Sequence, residues 1–304
     1  MNVLTTSGTG AMEAAVVNFC SPGADSLFLN QGRFGARWGA ICKTYGIKTD
    51  EISVPDGEAV TIDQLSRVDL SKYSAVFLTQ SETSTATLSD INSLSSYIKS
   101  NSDALVIVDS ISSIGTIEFR MDDWNIDVAV SASQKGFMTP PGLAVIAYSL
   151  NAQNIMQANT MPRYFFSLNK ELEAQKTFLT SWTPAVGLMY GIDKACDIML
   201  KEGIENRWQK VNKMADFFRN ECKKTGFGIF SKNPANSLTA FTFPDDIPTG
   251  KLISALREKY GIQIANGQAQ LKDKIARVSH MGDINLNDTA ELMKIINSEY
   301  KNLI

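Results

Sequence analysis

Leu105-Val106-Ile107-Val108-Asp109-Ser110 runs four apolar residues together and then delivers a carboxylate. A strand with one wet face alternates apolar and polar residues. An unbroken apolar run is dry on both faces, as in a parallel sheet covered by helices on either side. Asp109 then falls at the C-terminal end of a buried strand, the edge at which open α/β sheets hold their ligands.

The segments around it repeat the pattern. Strands are expected at 3–6, 26–30, 47–54 and 75–79, with helices after Gly10, at 34–45 and at 88–99. A pair of strands at 127–131 and 143–148 completes the central sheet. After Asn151 a polar connection is expected to reach Gln175, followed by helices at 184–200 and 207–224. A strand at 237–243, a helix at 250–260, a strand at 275–279 and a helix at 288–300 read as a small α+β unit. The expected division is a large domain over 1–203 and a small one over 204–304, with the boundary near Gly203. Helices interleaved with strands give an α/β class with a mostly parallel sheet.

Ser131-Ala132-Ser133-Gln134-Lys135-Gly136 follows the apolar run 128–130 and places a lysine at a second strand end. A lysine partly removed from water favours its neutral amine, and so becomes a nucleophile near neutral pH. An arbitrary lysine is a solvated surface residue; the residues accompanying this one set it apart. Thr5-Thr6-Ser7-Gly8-Thr9-Gly10-Ala11-Met12-Glu13 is a glycine-containing turn entering a helix, and offers free N–H groups to a phosphate. Alone, that turn equally suits a nucleotide or a plain helix start. A phosphate cradle, an acid and a buried lysine, in that chain order, are what pyridoxal 5'-phosphate requires.

Composition sets bounds on partners. A formal charge of -3 over 304 residues, with no basic run, gives no reason to expect nucleic acid or an anionic membrane. No apolar run approaches a membrane span, and the N-terminus has no basic leader. The four cysteines (Cys20, Cys42, Cys196, Cys222) lack C-x-x-C spacing and only one histidine is present, so no metal site is expected. Buried free thiols in a reducing cytoplasm are the expected state. Asn287-Asp288-Thr289 fits a helix start better than a glycosylation site, with Asp288 and Glu291 as the expected capping box.

The segments SGTGAMEAAVVN, NQGRFGARW, FLTQSETST, VIVDSISSIG, SASQKG, PPGLAVIAYS, TPAVGLMYGI and KIARVS, in this order, closely resemble the class V aminotransferases. The similarity is to the alanine-glyoxylate, serine-glyoxylate and serine-pyruvate group, and it runs through nearly the whole chain. It implies a fold type I pyridoxal phosphate-dependent transferase that moves an amino group from alanine or serine to glyoxylate or pyruvate, acting as a homodimer. It implies that Lys135 forms the Schiff base and shuttles a proton, and that Asp109 faces the pyridine nitrogen. Gly8 and Thr9 correspond to the phosphate turn, with Gln134 also at the phosphate. Thr83 corresponds to a hydroxyl near the phenolic oxygen, Phe34 to the aromatic residue covering one ring face, and Arg277 to the grip on the substrate carboxylate. His280 has no family role and is expected to be structural.

The sequence also departs from the family pattern. Relatives carry a Pro-Gly-Pro segment ahead of the phosphate turn. This chain starts almost at that turn, so the resemblance implies weak turnover. Thr85-Ala86 stands where relatives have Thr-Gly, a mild change if the backbone keeps φ negative. The phosphate contacts expected from a partner subunit before Pro184 are matched only by Ser181 and Thr183. Two other readings stay open. One is a cysteine desulfurase-like reaction, against which Phe34 and Gln134 occupy places held there by histidines. The other is a cofactor-binding protein with impaired catalysis.

Overall fold

The computed structural model describes residues 1–244 and 247–303. Its first half comprises β1 (Asn2–Leu4), α1 (Gly8–Phe19), β2 (Ser26–Asn30), α2 (Arg33–Thr44), β3 (Thr49–Ser53), α3 (Ile62–Leu65) and β4 (Ala75–Thr79). A two-stranded ribbon, β5 (Ser81–Glu82) and β6 (Thr87–Leu88), precedes α4 (Ile91–Asn101), β7 (Leu105–Asp109), β8 (Val128–Ala132) and β9 (Ala144–Tyr148). Helices α5 (Leu150–Ala158), α6 (Leu168–Gln175), α7 (Val186–Glu202) and α8 (Ile204–Lys224) follow. The chain ends in β10 (Gly228–Ile229), β11 (Leu238–Thr242), α9 (Thr249–Tyr260), β12 (Ala265–Asn266), β13 (Ala276–Ser279) and α10 (Leu286–Lys301).

Seven strands form the main sheet in the order β1-β9-β8-β7-β4-β2-β3. From β3 to β8 all neighbours run parallel, and β9 turns back antiparallel to β8. The alternation along β7 explains its composition. Leu105 and Ile107 join the core beneath α1, α2, α5 and α6. Val106 and Val108 join the opposite core with α3 and α4. Register sets Thr79, Asp109 and Val130 level across β4, β7 and β8, so the segments leaving these three strands emerge on one edge. A second sheet, β10-β11-β13-β12, packs against α8, α9 and α10 around Phe218, Phe241 and Ile296.

Four expectations need correction. The stretch from Asn151 to Gln175 is not a plain polar connection but carries α5 and α6. Each of these helices buries a narrow stripe (Ala152 and Met156; Leu168 and Glu171), too few apolar positions to reveal a period in the sequence. The last helix is capped by Asn285, which exchanges hydrogen bonds with Asp288 in a complete capping box, so Glu291 takes no part. Ala86 adopts φ +59°, the left-handed region that costs a residue with a Cβ about 1–2 kcal/mol, so its methyl is not a neutral change. Cys196 is half-buried, while Cys20, Cys42 and Cys222 are buried and all four are free.

Candidate active site

Three loops off the level strand ends, together with two helix starts, bring the candidate residues together. Asp109 closes β7 and is 4% exposed. Its Oδ1 accepts from the Ile111 amide at 2.9 Å, while Oδ2 takes no hydrogen bond from the described residues. Burial pushes its pKa up to about 7, the Ile111 amide pulls it down, and the nearby Glu82 carboxylate adds to the rise. Arg37 and Lys135 oppose the rise.

Lys135 lies just beyond β8 and is half-buried. Its amine pKa is lowered, first by burial and then by the Arg277 guanidinium, against the pull of Asp109. The next residue fixes the loop. A Cβ on Gly136 would stand 2.0 Å from the Ile114 carbonyl oxygen, so only glycine lets the lysine loop lie against the turn that follows Asp109.

The candidate phosphate turn starts α1 at Gly8. Ser7 is the N-cap residue but its side chain caps nothing, leaving the first amides of α1 without an intrahelical or capping acceptor. Thr9 is exposed and its Oγ1 accepts from Arg37 Nη1 at 2.8 Å. The same guanidinium stacks over the Phe34 ring, 4.6 Å from its centroid. Phe34 therefore has one face taken by Arg37 and is half-buried. Gln134 is exposed, and Thr83 is buried.

Arg277, on β13 of the small sheet, reaches across to this edge. Its Nη1 donates to the Thr83 carbonyl at 2.5 Å, and its Nε and Nη2 donate to the Asn266 carbonyl at 3.1 and 2.8 Å. A guanidinium has five N–H groups, so three such bonds leave two for a ligand carboxylate. Burial lowers the Arg277 pKa and Glu82 opposes that shift.

His280 lies apart from the site. It is fully buried, bonded through Nε2 to Thr239 Oγ1 at 2.9 Å, and burial drives its pKa down to about 3. A neutral ring in the small-sheet core is structural, as its sequence context suggests.

The chain matches the family described as aminotransferase class-V over residues 2–283. It belongs to that family. A protein named soluble hydrogenase, small subunit, from Synechococcus sp. is 33% identical over 292 residues, covering 94% of this chain and 76% of that protein. The L-aspartate–glyoxylate aminotransferase of Paracoccus denitrificans is 32% identical over 301 residues, covering 96% of this chain and 76% of that enzyme. Among solved structures, the aspartate aminotransferase of Thermus thermophilus superposes with a TM-score of 0.92 at 28% identity, covering 99% of this chain and 85% of that one.

Class-V aminotransferases depend on pyridoxal phosphate, so this chain is a transaminase of that cofactor class. The residues present fit the group. Asp109 is a buried carboxylate with an open oxygen, which calls for a cationic N–H donor such as a protonated pyridine. The uncapped start of α1 beside Arg37 suits a phosphate. Lys135 supplies an amine with depressed basicity.

Two residues at the site escaped the sequence reading. Arg37 lies one helical turn past Phe34, and that i, i+3 spacing was a usable signal for the stacking. Glu82 is 0% exposed and binds amides 48 residues distant. Nothing local in Ser81-Glu82-Thr83 betrays that contact.

Proposed function

We propose that this class-V enzyme transfers the amino group of alanine or serine to glyoxylate or pyruvate, with Lys135, Asp109 and Arg277 as its working side chains. The observation that carries the reading is the open Oδ2 of buried Asp109, close enough to Lys135 for each to shift the other's pKa. Glyoxylate is also the acceptor in the name of the Paracoccus relative.

Pyridoxal phosphate, when bound, supplies an aldehyde for amine exchange and a ring that takes up electron density from the substrate α-carbon. This chain's residues do the rest. The first amides of α1, with Gly8, Thr9 and Arg37, would hold the phosphate, together with Gln134 of the lysine loop. Phe34 would cover one face of the ring, and Thr83 would supply a hydroxyl. Asp109 would hold a proton on the ring nitrogen. Lys135, its basicity lowered by burial, would take the proton from the substrate α-carbon. Arg277 turns its two remaining N–H groups to the substrate carboxylate and so fixes which α-bond is presented.

A half-reaction screen tests this reading. Alanine or serine should bleach the visible absorbance of the lysine-linked cofactor, and glyoxylate or pyruvate should restore it. Absence of bleaching with every amino donor would overturn the transaminase assignment for these substrates. Arg277→Lys keeps the charge but loses the planar fork. It is expected to raise KM for the amino donor about 10- to 100-fold with cofactor still bound. An unchanged KM would remove Arg277 from the carboxylate site.

We also infer a homodimer formed through α7 and the residues before it. Of the seventeen residues of α7 only Ala195 and Met199 are buried. Val186, Tyr190 and Leu200 are 52%, 73% and 77% exposed, and Phe178 is 99% exposed just upstream. Apolar surface of this density on one helix is what a partner covers. Trp182 is already held by its own chain, stacked on Phe165 and donating to the Phe165 carbonyl. Ser181 and Thr183, beside it, are the candidates for reaching a partner's phosphate. Light scattering should give twice the chain mass at micromolar concentration, and Tyr190→Asp should halve it. A monomeric wild type would refute the dimer. The four free thiols favour the reducing cytoplasm as its compartment.

A further inference from the structure

Helix α2 carries Phe34 in its first turn, yet its N-cap residue is Gly32 and no side chain of the helix caps it. The missing acceptor comes from Glu82, far along the chain. Glu82 Oε2 accepts from the Phe34 and Gly35 amides, both at 2.9 Å. Its Oε1 accepts from the Ser84 amide at 3.0 Å and from the Ser84 hydroxyl at 2.5 Å. Four donors thus converge on one fully buried carboxylate. Burial pushes the Glu82 pKa above the ordinary glutamate value, and the four donors pull it back.

The two oxygens serve different halves of the site. Through Oε2 the carboxylate fixes the turn that presents the Phe34 ring. Through Oε1 it fixes Ser84, the neighbour of Thr83, whose carbonyl accepts from Arg277 Nη1 at 2.5 Å. The backbone is shaped to admit it. A Cβ on Gly32 would stand 2.7 Å from both Glu82 Cγ and Ser84 Oγ, so glycine is required for the carboxylate to reach the helix start. Ser84 Oγ in turn accepts from the Arg33 amide at 3.1 Å, closing the connection from the other side.

We propose that Glu82 is a positioning residue that sets the cofactor-covering Phe34 and the carboxylate-binding Arg277 together, so that one buried carboxylate couples cofactor affinity to substrate affinity. The proposal rests on the functional reading above. It goes beyond that reading by assigning a residue that touches neither cofactor nor substrate to both binding steps. An amide cannot replace the carboxylate. Whichever way a glutamine is turned, its NH2 group faces N–H donors on one side, either Ser84 or the start of α2.

The test compares Glu82→Gln and the milder Ser84→Ala with the wild type in three measurements. These are cofactor dissociation by fluorescence titration, KM and kcat for the amino donor, and the melting temperature without cofactor. Glu82→Gln is expected to weaken cofactor binding and to raise donor KM, each on the order of tenfold. Ser84→Ala should move both in the same direction by less. In double mutants, the cofactor effect should fall short of additivity with Phe34→Ala, and the KM effect with Arg277→Lys. A lowered melting temperature with unchanged cofactor affinity and KM would overturn the proposal, leaving Glu82 a structural cap. Additive double mutants would overturn it as well. Should Glu82→Gln fail to fold, Ser84→Ala carries the comparison alone, and no change in either constant there is the refuting result. A wild type that takes up no pyridoxal phosphate would instead overturn the functional reading itself, and the proposal with it, before any variant is compared.

Discussion

Lys135→Ala is expected to leave a folded protein that never acquires the visible absorbance of a lysine-linked cofactor and that turns over at least about 10⁴-fold more slowly. The argument for an intact fold is local. Lys135 is half-buried in a loop whose path is set by its neighbour Gly136 against the Ile114 carbonyl, and its own amine has no hydrogen-bonding partner among the described residues. Removing it breaks no bond, so the stability change should stay within about 1 kcal/mol. The argument for lost chemistry is that burial and the Arg277 charge hold its basicity down against the pull of Asp109. Borohydride reduction followed by peptide mapping checks the assignment. Label on a different lysine, or a persistent visible band in the variant, would show that Lys135 is not the attachment point.

What the sequence reveals of this site is what adjacent residues encode. Asp109 and Lys135 were legible because each ends an apolar run, and a buried run predicts both the strand and the edge where it stops. The uncapped helix start at Gly8 was legible for the same local reason, a glycine pair entering a helix. Arg277 was found through its resemblance, but its bond to the Thr83 carbonyl depends on the small sheet lying against the ribbon that follows β4 and has no sequence signature. Glu82 was hidden more thoroughly. It caps a helix whose own N-cap is glycine, and the pairing spans 48 residues with no spacing rule behind it. The strain at Ala86 is invisible in the sequence because φ cannot be read from residue type, and the turn after the β5 strand places it at +59°. The helices α5 and α6 were lost because each buries only two residues of its length, below what an apolar period needs.

Asp109→Asn separates function from stability in opposite directions. With cofactor bound, turnover should fall on the order of 100- to 1000-fold, since an amide cannot hold the proton on a pyridine nitrogen as a carboxylate does. Without cofactor, the variant should be the more stable protein above neutral pH. The sign follows from the direction of the shift. Burial raises the Asp109 pKa from an ordinary 3.8 to about 7, so folding favours the protonated acid. Its contribution is therefore fully present below about pH 4 and is lost as pH rises through 7, a penalty of about 4 kcal/mol at pH 8. Asparagine carries no charge to desolvate and removes that slope, at a cost of about 1–3 kcal/mol for an amide group left without a partner. Apo wild type and variant melted from pH 4 to pH 8 should therefore converge or cross at the acid end, with the variant higher at the alkaline end. Parallel pH profiles would mean that Asp109 is solvated and ionised throughout, and with that its place opposite the ring nitrogen would fall. Cofactor binding gives the complementary check. A cationic ring nitrogen beside Oδ2 favours the carboxylate, so pyridoxal phosphate should flatten the wild-type pH profile and leave that of the variant unchanged.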